Sequence, residues 1–377
     1  MRALLPLLLL SLTPSSCQLL ADPDASHARE HFDGARAAIS LDEAERRLDE
    51  GDVAAARREL DGIRAEPAGL RTLLLQARTL IAEGRFQEAE LELGRAEALA
   101  AAGPETDLVR GTLEESRGRW KQASAAYSRA AAKDPDSLEL VLLPARSQQA
   151  MGDSQGAAAL LERELGRRPD SFELLVALAD AHLANGDPDL ASNYLRRAAD
   201  YRPRDRGLLH HMVLALSLAG RHAEAADAGI DLLPEELPDY LNLALGRSAL
   251  AAGRPGQASK HLDAYLASQR GDAAAWGDLA RSEYLLGSYE AAFHALGESL
   301  RRQPDDHRSL VLLGHLRNQA GQAHEALNCY LEAIRLGAEA APLSGIMERL
   351  VALLQSRGAG GPAAEEELPV FTVQEEG

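Results

Sequence analysis

The residues with the clearest chemical potential stand near the start of the chain. His27-Ala-Arg-Glu30-His31 spells the H-x-x-E-H pattern of inverted zinc peptidases, and on a helix its two imidazoles share a face with the carboxylate beside them. Such a site also needs a third ligand from a large catalytic domain, and here the pattern sits in a polar stretch that precedes everything regular in the chain. A coincidental solvated segment accounts for it, so no metal ligand is assigned. A zinc-dependent hydrolase using the His27/His31 pair stands only as an alternative. No phosphate-cradling G-x-x-x-x-G-K-S/T loop occurs, and spacing suggests no Ser-His-Asp or Cys-His arrangement. The expectation is a chain that is not an enzyme, with no catalytic residue and no cofactor.

Composition limits the partners. The formal charge over 377 residues is −18, which repels a nucleic-acid backbone and an anionic lipid surface. Two cysteines, Cys17 and Cys329, cannot staple a chain of this length. Hydrophobic residues make up 46% and leave enough for a core, whereas aromatics are only 4%, so no single large core is expected.

Both ends read as lying outside the fold. Residues 1–17 have the form of a secretory signal, with Arg2, an apolar run from Ala3 to Leu12, and Ser15-Ser16-Cys17 at the close. This run is too short to span a bilayer. Its end resembles a bacterial lipobox, with Pro14 where an aliphatic residue is usual, and the resemblance implies lipidation of Cys17. Gln18 after the Cys, in place of a retaining Asp, directs the expectation to the outer membrane, facing the periplasm, with a soluble periplasmic protein as the alternative. Residues 18–36 are expected to form a polar tether. At the other end, residues 358–377 open with a Gly-rich break and carry five Glu and no basic residue, which reads as a disordered acidic tail.

Between the ends runs a period of 34 residues. Glycine recurs at 51, 84, 118, 152, 186, 220, 253, 287 and 321, and an Ala stands five residues after each, from Ala56 to Ala326. Seven residues before each glycine stands a small residue (Ala44, Ala77, Gly111, Ala145, Ala179, Gly246, Ala280, Gly314), except for Val213. Apolar residues around these positions repeat at three and four, so each unit is two helices. The glycine supplies the φ > 0 that closes the first helix, and the small residues let the paired helices approach. Proline follows at 67, 135, 169, 203 and 304 and stops the second helix. Pro144 is expected to disturb the first helix of its unit, and Pro234 and Pro238 to truncate a second helix. The unit boundary near Ala98–Pro104 is longer than the others.

Trp276, Leu279, Ala280, Gly287, Tyr289, Ala292, Leu296 and Pro304 resemble the signature of the tetratricopeptide repeat. Gly118, Trp120, Ala123, Tyr127, Ala130 and Pro135 resemble its second half. The resemblance implies an all-α fold, an α-solenoid wound as a right-handed superhelix. Its nine units run 37–69, 70–103, 104–137, 138–171, 172–205, 206–238, 239–272, 273–306 and 307–340, with a capping helix over 341–357. It also implies a non-enzymatic scaffold that holds a protein or peptide partner on the concave face lined by the first helices. Pilus, secretion and exopolysaccharide assembly are the settings expected for an exported member, and a cytoplasmic co-chaperone-like adaptor is the alternative.

In that family the concave positions are five, nine, twelve and thirteen of each unit. Position nine holds Arg78, Arg146, Arg247 and Arg281, with His315 in the last unit. Guanidinium forks suit acidic groups or a C-terminal carboxylate of a bound peptide. The competing expectation is that these arginines pair with Glu and Asp of adjacent helices. Tyr240, Tyr284 and Asn318 join the candidate groove as apolar and hydrogen-bonding contacts. His210-His211 reads as one groove-facing and one packed residue, and Cys329 as a small buried one.

Overall fold

The computed structural model describes residues 23–63, 69–99 and 103–358, and every regular element among them is helical. The chain divides into two compact units, residues 1–157 and 158–377. In the first, α1 (Pro23–Asp49) pairs with α2 (Val53–Asp61), α3 (Leu70–Ala82) with α4 (Phe86–Leu99), and α5 (Pro104–Ser116) with α6 (Trp120–Lys133), followed by α7 (Leu138–Ala150). The boundary falls inside α8 (Ser154–Arg167). In the second unit, α9 (Phe172–Asn185) pairs with α10 (Pro188–Ala199), and α11 (Arg206–Leu218) with α12 (His222–Ala228). The pairs α13 (Asp239–Ala251) with α14 (Pro255–Ser268), α15 (Ala273–Leu285) with α16 (Tyr289–Arg302), and α17 (His307–Gln319) with α18 (Ala323–Arg335) follow. The final helix, α19 (Ala341–Gly358), lies against α18.

α1 reaches back through residues 23–36, the stretch expected as a tether. Its Ala-rich sequence has no helix breaker after Pro23 except Gly34, so the helix of the first repeat propagates toward the N-terminus. Residues 1–22, with Cys17, and 359–377, with the acidic tail, lie outside the described residues, as does most of the long junction before Pro104. His27, Glu30 and His31 fall within α1, but their side chains also lie outside the description. α7 continues across Pro144.

Each helix pair is built by the same local rules. Several first helices start on a capping oxygen: Ser171 accepts from the Leu174 N–H at 3.3 Å, Asp205 from Leu208 at 2.8 Å and Asp272 from Ala275 at 3.0 Å, whereas α3, α5 and α13 start on Gly69, Gly103 and Pro238 without one. They end on the anchor glycine, which has positive φ in all nine repeats, from 69° to 82°, while no described non-glycine residue does. This left-handed residue lets the next N–H turn back onto the helix end, as when Asp187 N–H donates to His182 C=O at 2.9 Å.

The small residue of the first helix is matched to the residue sixteen later in the second. Where the later residue is Tyr, the earlier one is Gly: a Cβ on Gly111 would stand 2.8 Å from Tyr127 Cζ, and one on Gly314 2.9 Å from Tyr330 Cζ. In the sixth repeat the two positions hold Val213 and Gly229, and the space at Gly229 is taken by the next repeat, since a Cβ there would stand 2.6 Å from Leu245 Cδ1. Most other repeats use Ala with Leu, as Ala179 with Leu195, both fully buried, while the seventh sets Gly246 against Leu262, where a Cβ would stand 2.8 Å from Leu262 Cγ. In the Gly with Tyr and Ala with Leu pairs a larger residue on one helix is thus met by a smaller one on the other.

The sixth repeat also departs from the rest. α12 has 7 residues where its counterpart α14 has 14, and a 3-10 turn at Pro234–Glu236 replaces the missing length. Pro234 and Pro238 impose this stop. Buried Asn242 clasps the turn by donating to Pro234 C=O at 2.9 Å and Leu237 C=O at 3.3 Å. Its Oδ1, left as an acceptor, lies 2.9 Å from His261 Nδ1. His261 therefore carries its proton on Nδ1, and burial pushes its imidazole pKa down to about 4.

Candidate functional site

In the second unit the first helices α9, α11, α13, α15 and α17 each touch the next, so equivalent positions form a stripe running across them. Three large apolar side chains on these helices stand out: Leu218, 61% exposed, and Leu285, 41%, at the C-terminal ends of α11 and α15, and Tyr240, 59%, at the N-terminal end of α13. Val176, Leu214 and Leu243, at positions five and nine of their units, are half-buried. Leu218 and Leu285 occupy position thirteen, where other repeats carry Ala, Ser, Asp or Gln. That contrast was a legible signal which attention to position nine passed over.

Charges on the stripe are paired. Arg247 Nε donates to Asp278 Oδ2 on the next first helix at 2.8 Å, and Asp180 Oδ1 lies 3.2 Å from His211 Nε2. Arg281 is engaged as well. In the first unit, Arg78 reaches Asp49 at 3.1 Å and Glu45 at 3.5 Å, while Arg71 holds Asp42 at 2.7 Å and Glu45 at 2.6 Å. Arg146 alone of the four position-nine arginines has no such partner among the described residues, and it is exposed. The repeated arginines therefore do not make an openly positive groove. Half-exposed pairs of this kind contribute about 0–1 kcal/mol, so a ligand carboxylate can exchange with them at small cost.

Three residues expected in the groove turn inward. Tyr284 is 9% exposed, with its ring against Tyr289 and His315 and its hydroxyl accepting from Gln319 Nε2 at 3.1 Å. His315 meets the Tyr330 hydroxyl through Nδ1 at 2.9 Å, and burial lowers its pKa. Asn318 is also buried, and its Oδ1 has no partner among the described residues. For His315 the cause is Gly314: with no side chain there, Tyr330 passes beneath α17 and its hydroxyl holds His315 from below. His210 is half-buried, and its pKa is lowered first by burial and then by His211 and Arg206. Cys329 is half-buried, and burial raises its thiol pKa.

Among the described residues no group of three or more His, Cys, Asp or Glu is placed to hold a metal ion, and no helix is long and apolar enough to cross a membrane. The stripe offers apolar contact and exchangeable ion pairs, which suits the binding of an extended or helical segment.

Profiles described as tetratricopeptide repeat match residues 108–171 and 243–307, 148–216, and 307–336, more than half of the chain together. The chain belongs to the tetratricopeptide repeat family. Similar solved structures include a tetratricopeptide repeat protein from Parabacteroides merdae, 13% identical, with 66% of this chain and 98% of that one covered and a TM-score of 0.40. Another is the pilF protein of Pseudomonas aeruginosa, 22% identical, with 62% and 99% covered and a TM-score of 0.37. YrrB, described as having an unusual peptide-binding site, is 12% identical, with 53% and 99% covered and a TM-score of 0.41. No curated protein matches the chain. As a tetratricopeptide repeat protein it falls in a family of protein-interaction scaffolds.

Proposed function

We propose that this tetratricopeptide repeat protein is a non-enzymatic scaffold of the bacterial cell envelope, exported and held by lipid on Cys17 at the periplasmic side of the outer membrane. Its second unit takes an apolar segment of a protein partner across α11, α13 and α15. The observation that carries the binding part is the exposure of Leu218, Tyr240 and Leu285 on successive first helices, with the neighbouring charges paired. Large apolar side chains left in water on a repeated face mark an interaction surface. A carboxylate on the partner would be met by exchange into the Arg247 pair on the same unit. Pilus, secretion-channel and exopolysaccharide assembly are the settings that fit such a scaffold.

The envelope part is supported by the signal-like run and Ser15-Ser16-Cys17. Mass spectrometry of the native N-terminus tests it: a diacylglyceryl-modified Cys17 is expected, a free terminus nearby would indicate a soluble exported protein, and an intact Met1 would sink the location. For binding, partner capture by the wild-type chain is compared with capture by Leu218→Glu/Tyr240→Glu. An unchanged partner set would remove the stripe from the account.

A further inference from the structure

A second apolar surface adjoins the stripe at Leu285, around the turn between α15 and α16. Leu285, Leu286, Tyr289 and Phe293 are each between 41 and 46% exposed within nine residues. Tyr289 and Phe293 are four apart on α16 and therefore share a face, and the Tyr289 ring leans on Tyr284 at 5.8 Å. The Arg317 guanidinium stands 4.8 Å from the centre of the Phe293 ring. The equivalent positions of the next repeat are Gln319, Ala320, Ala323 and Leu327, and those of the preceding one Ala251, Ala252, Pro255 and Ser259. This apolar corner is therefore not a feature of the repeat as such. Four large side chains half in water at one turn need a cover.

The chain itself carries a matching segment. After α19 come residues 359–377, in which Leu368-Pro-Val-Phe371-Thr-Val373 is a compact apolar run bounded by Glu365–Glu367 and by Glu375 and Glu376. The helix preceding it ends at the right place. α19 starts 34 residues after α17 and lies against α18 through Leu343, Ile346 and Leu350, so it takes the place of a first helix. Short connections make consecutive helices antiparallel, and α19 thus runs in the same direction as α15 and α17. Its C-terminus emerges at the edge where the Gly287 and Gly321 turns lie. Two repeats separate it from the apolar corner, about 20 Å at roughly 10 Å per packed helix. The ten residues from Gly358 to Leu368 span at most about 33 Å. The run can reach the corner without strain.

We infer that residues 368–373 dock on the corner formed by Leu285, Leu286, Tyr289 and Phe293, with Phe371 as the anchor against Tyr289 and Phe293. The chain thereby covers its own exposed edge, and a partner that uses that edge must displace the tail. This surface shares Leu285 with the stripe of the proposed function, but the stripe is tested at Leu218 and Tyr240 and the corner at Phe371, so the failure of one is distinguishable from the failure of the other.

Disulfide trapping in the full chain with Cys17→Ser and Cys329→Ala tests this. Thr372→Cys is combined either with Glu290→Cys, beside the corner, or with His324→Cys, one repeat nearer the chain exit; both positions are exposed. A docked tail raises the effective concentration at the farther site, so the 372–290 bond forms about tenfold faster than the 372–324 bond, and Phe371→Ala abolishes the difference. Equal rates, faster bonding at 324, or indifference to Phe371→Ala would overturn the inference. So would a 372–290 bond found only between two chains, which would assign the corner to a second copy.

Discussion

Gly314→Ala adds one methyl group at the crossing of α17 and α18, and the structure sets its cost. The new Cβ would lie 2.7 Å from Tyr330 Cδ1 and 2.9 Å from Cζ, where carbon atoms rest at about 3.5–4.0 Å, so the ring must withdraw by about 1 Å. Tyr330 is fully buried and its hydroxyl is held by His315 Nδ1. Overpacking costs about 1–3 kcal/mol and the strained hydrogen bond about 1 kcal/mol more, giving roughly 2–4 kcal/mol. Tyr330→Leu alone leaves a void and costs about 1–3 kcal/mol. The double variant recreates the Ala and Leu combination of Ala179 with Leu195 and should fall within about 1 kcal/mol of the wild type. Because repeat arrays open locally rather than as one body, the assay is native-state hydrogen exchange of peptides covering 307–335. Gly314→Ala should exchange about 30-fold faster or more, and the double variant near the wild-type rate. Additive effects of the two substitutions would refute size matching at this crossing.

His261 makes stability depend on pH. Its pKa is about 4 in the fold against an ordinary 6.5, so the neutral ring is favoured by folding. That stabilisation is complete above pH 6.5 and is lost as pH falls toward 4, about 3 kcal/mol in all. Thermal melts of His261→Gln between pH 7 and 4 should show a flatter profile than the wild type, and an identical profile would contradict the assignment. Gly186→Ala meets no neighbouring atom but keeps a φ of 82°, so it should cost about 1–2 kcal/mol from the backbone alone, read as faster exchange in α9. Arg247→Asp with Asp278→Arg reverses their ion pair and should leave melting within about 1 kcal/mol of the wild type, while partner capture falls if the pair exchanges with a partner carboxylate.

The repeat was legible because its devices are local. A glycine needed for positive φ and an Ala needed at a helix crossing recur in the letters themselves, as does the stop at Pro234 and Pro238. Even the matching of Gly111 with Tyr127 and of Gly314 with Tyr330 lies open to a reader who compares positions sixteen apart. The state of the arginines was not legible. Whether Arg247 faces a ligand or Asp278 depends on the register of helices 31 residues apart, and no local rule fixes it. Tyr284, His315 and Asn318 shared the spacing of groove residues but turn inward, His315 because Gly314 leaves room for the Tyr330 ring whose hydroxyl holds it. Leu218 and Leu285 were missed for the opposite reason, since each breaks a small-residue pattern at position thirteen that only a column-by-column comparison reveals.

Photo-crosslinking in cells tests the binding surface most directly. A photoreactive residue is placed at Leu218 or Tyr240 on the stripe, and at Leu190, which is 47% exposed on a second helix, as the control. The account predicts that positions 218 and 240 capture the same partner and that 190 captures none. Capture at 190 with none at 218 and 240 would contradict it.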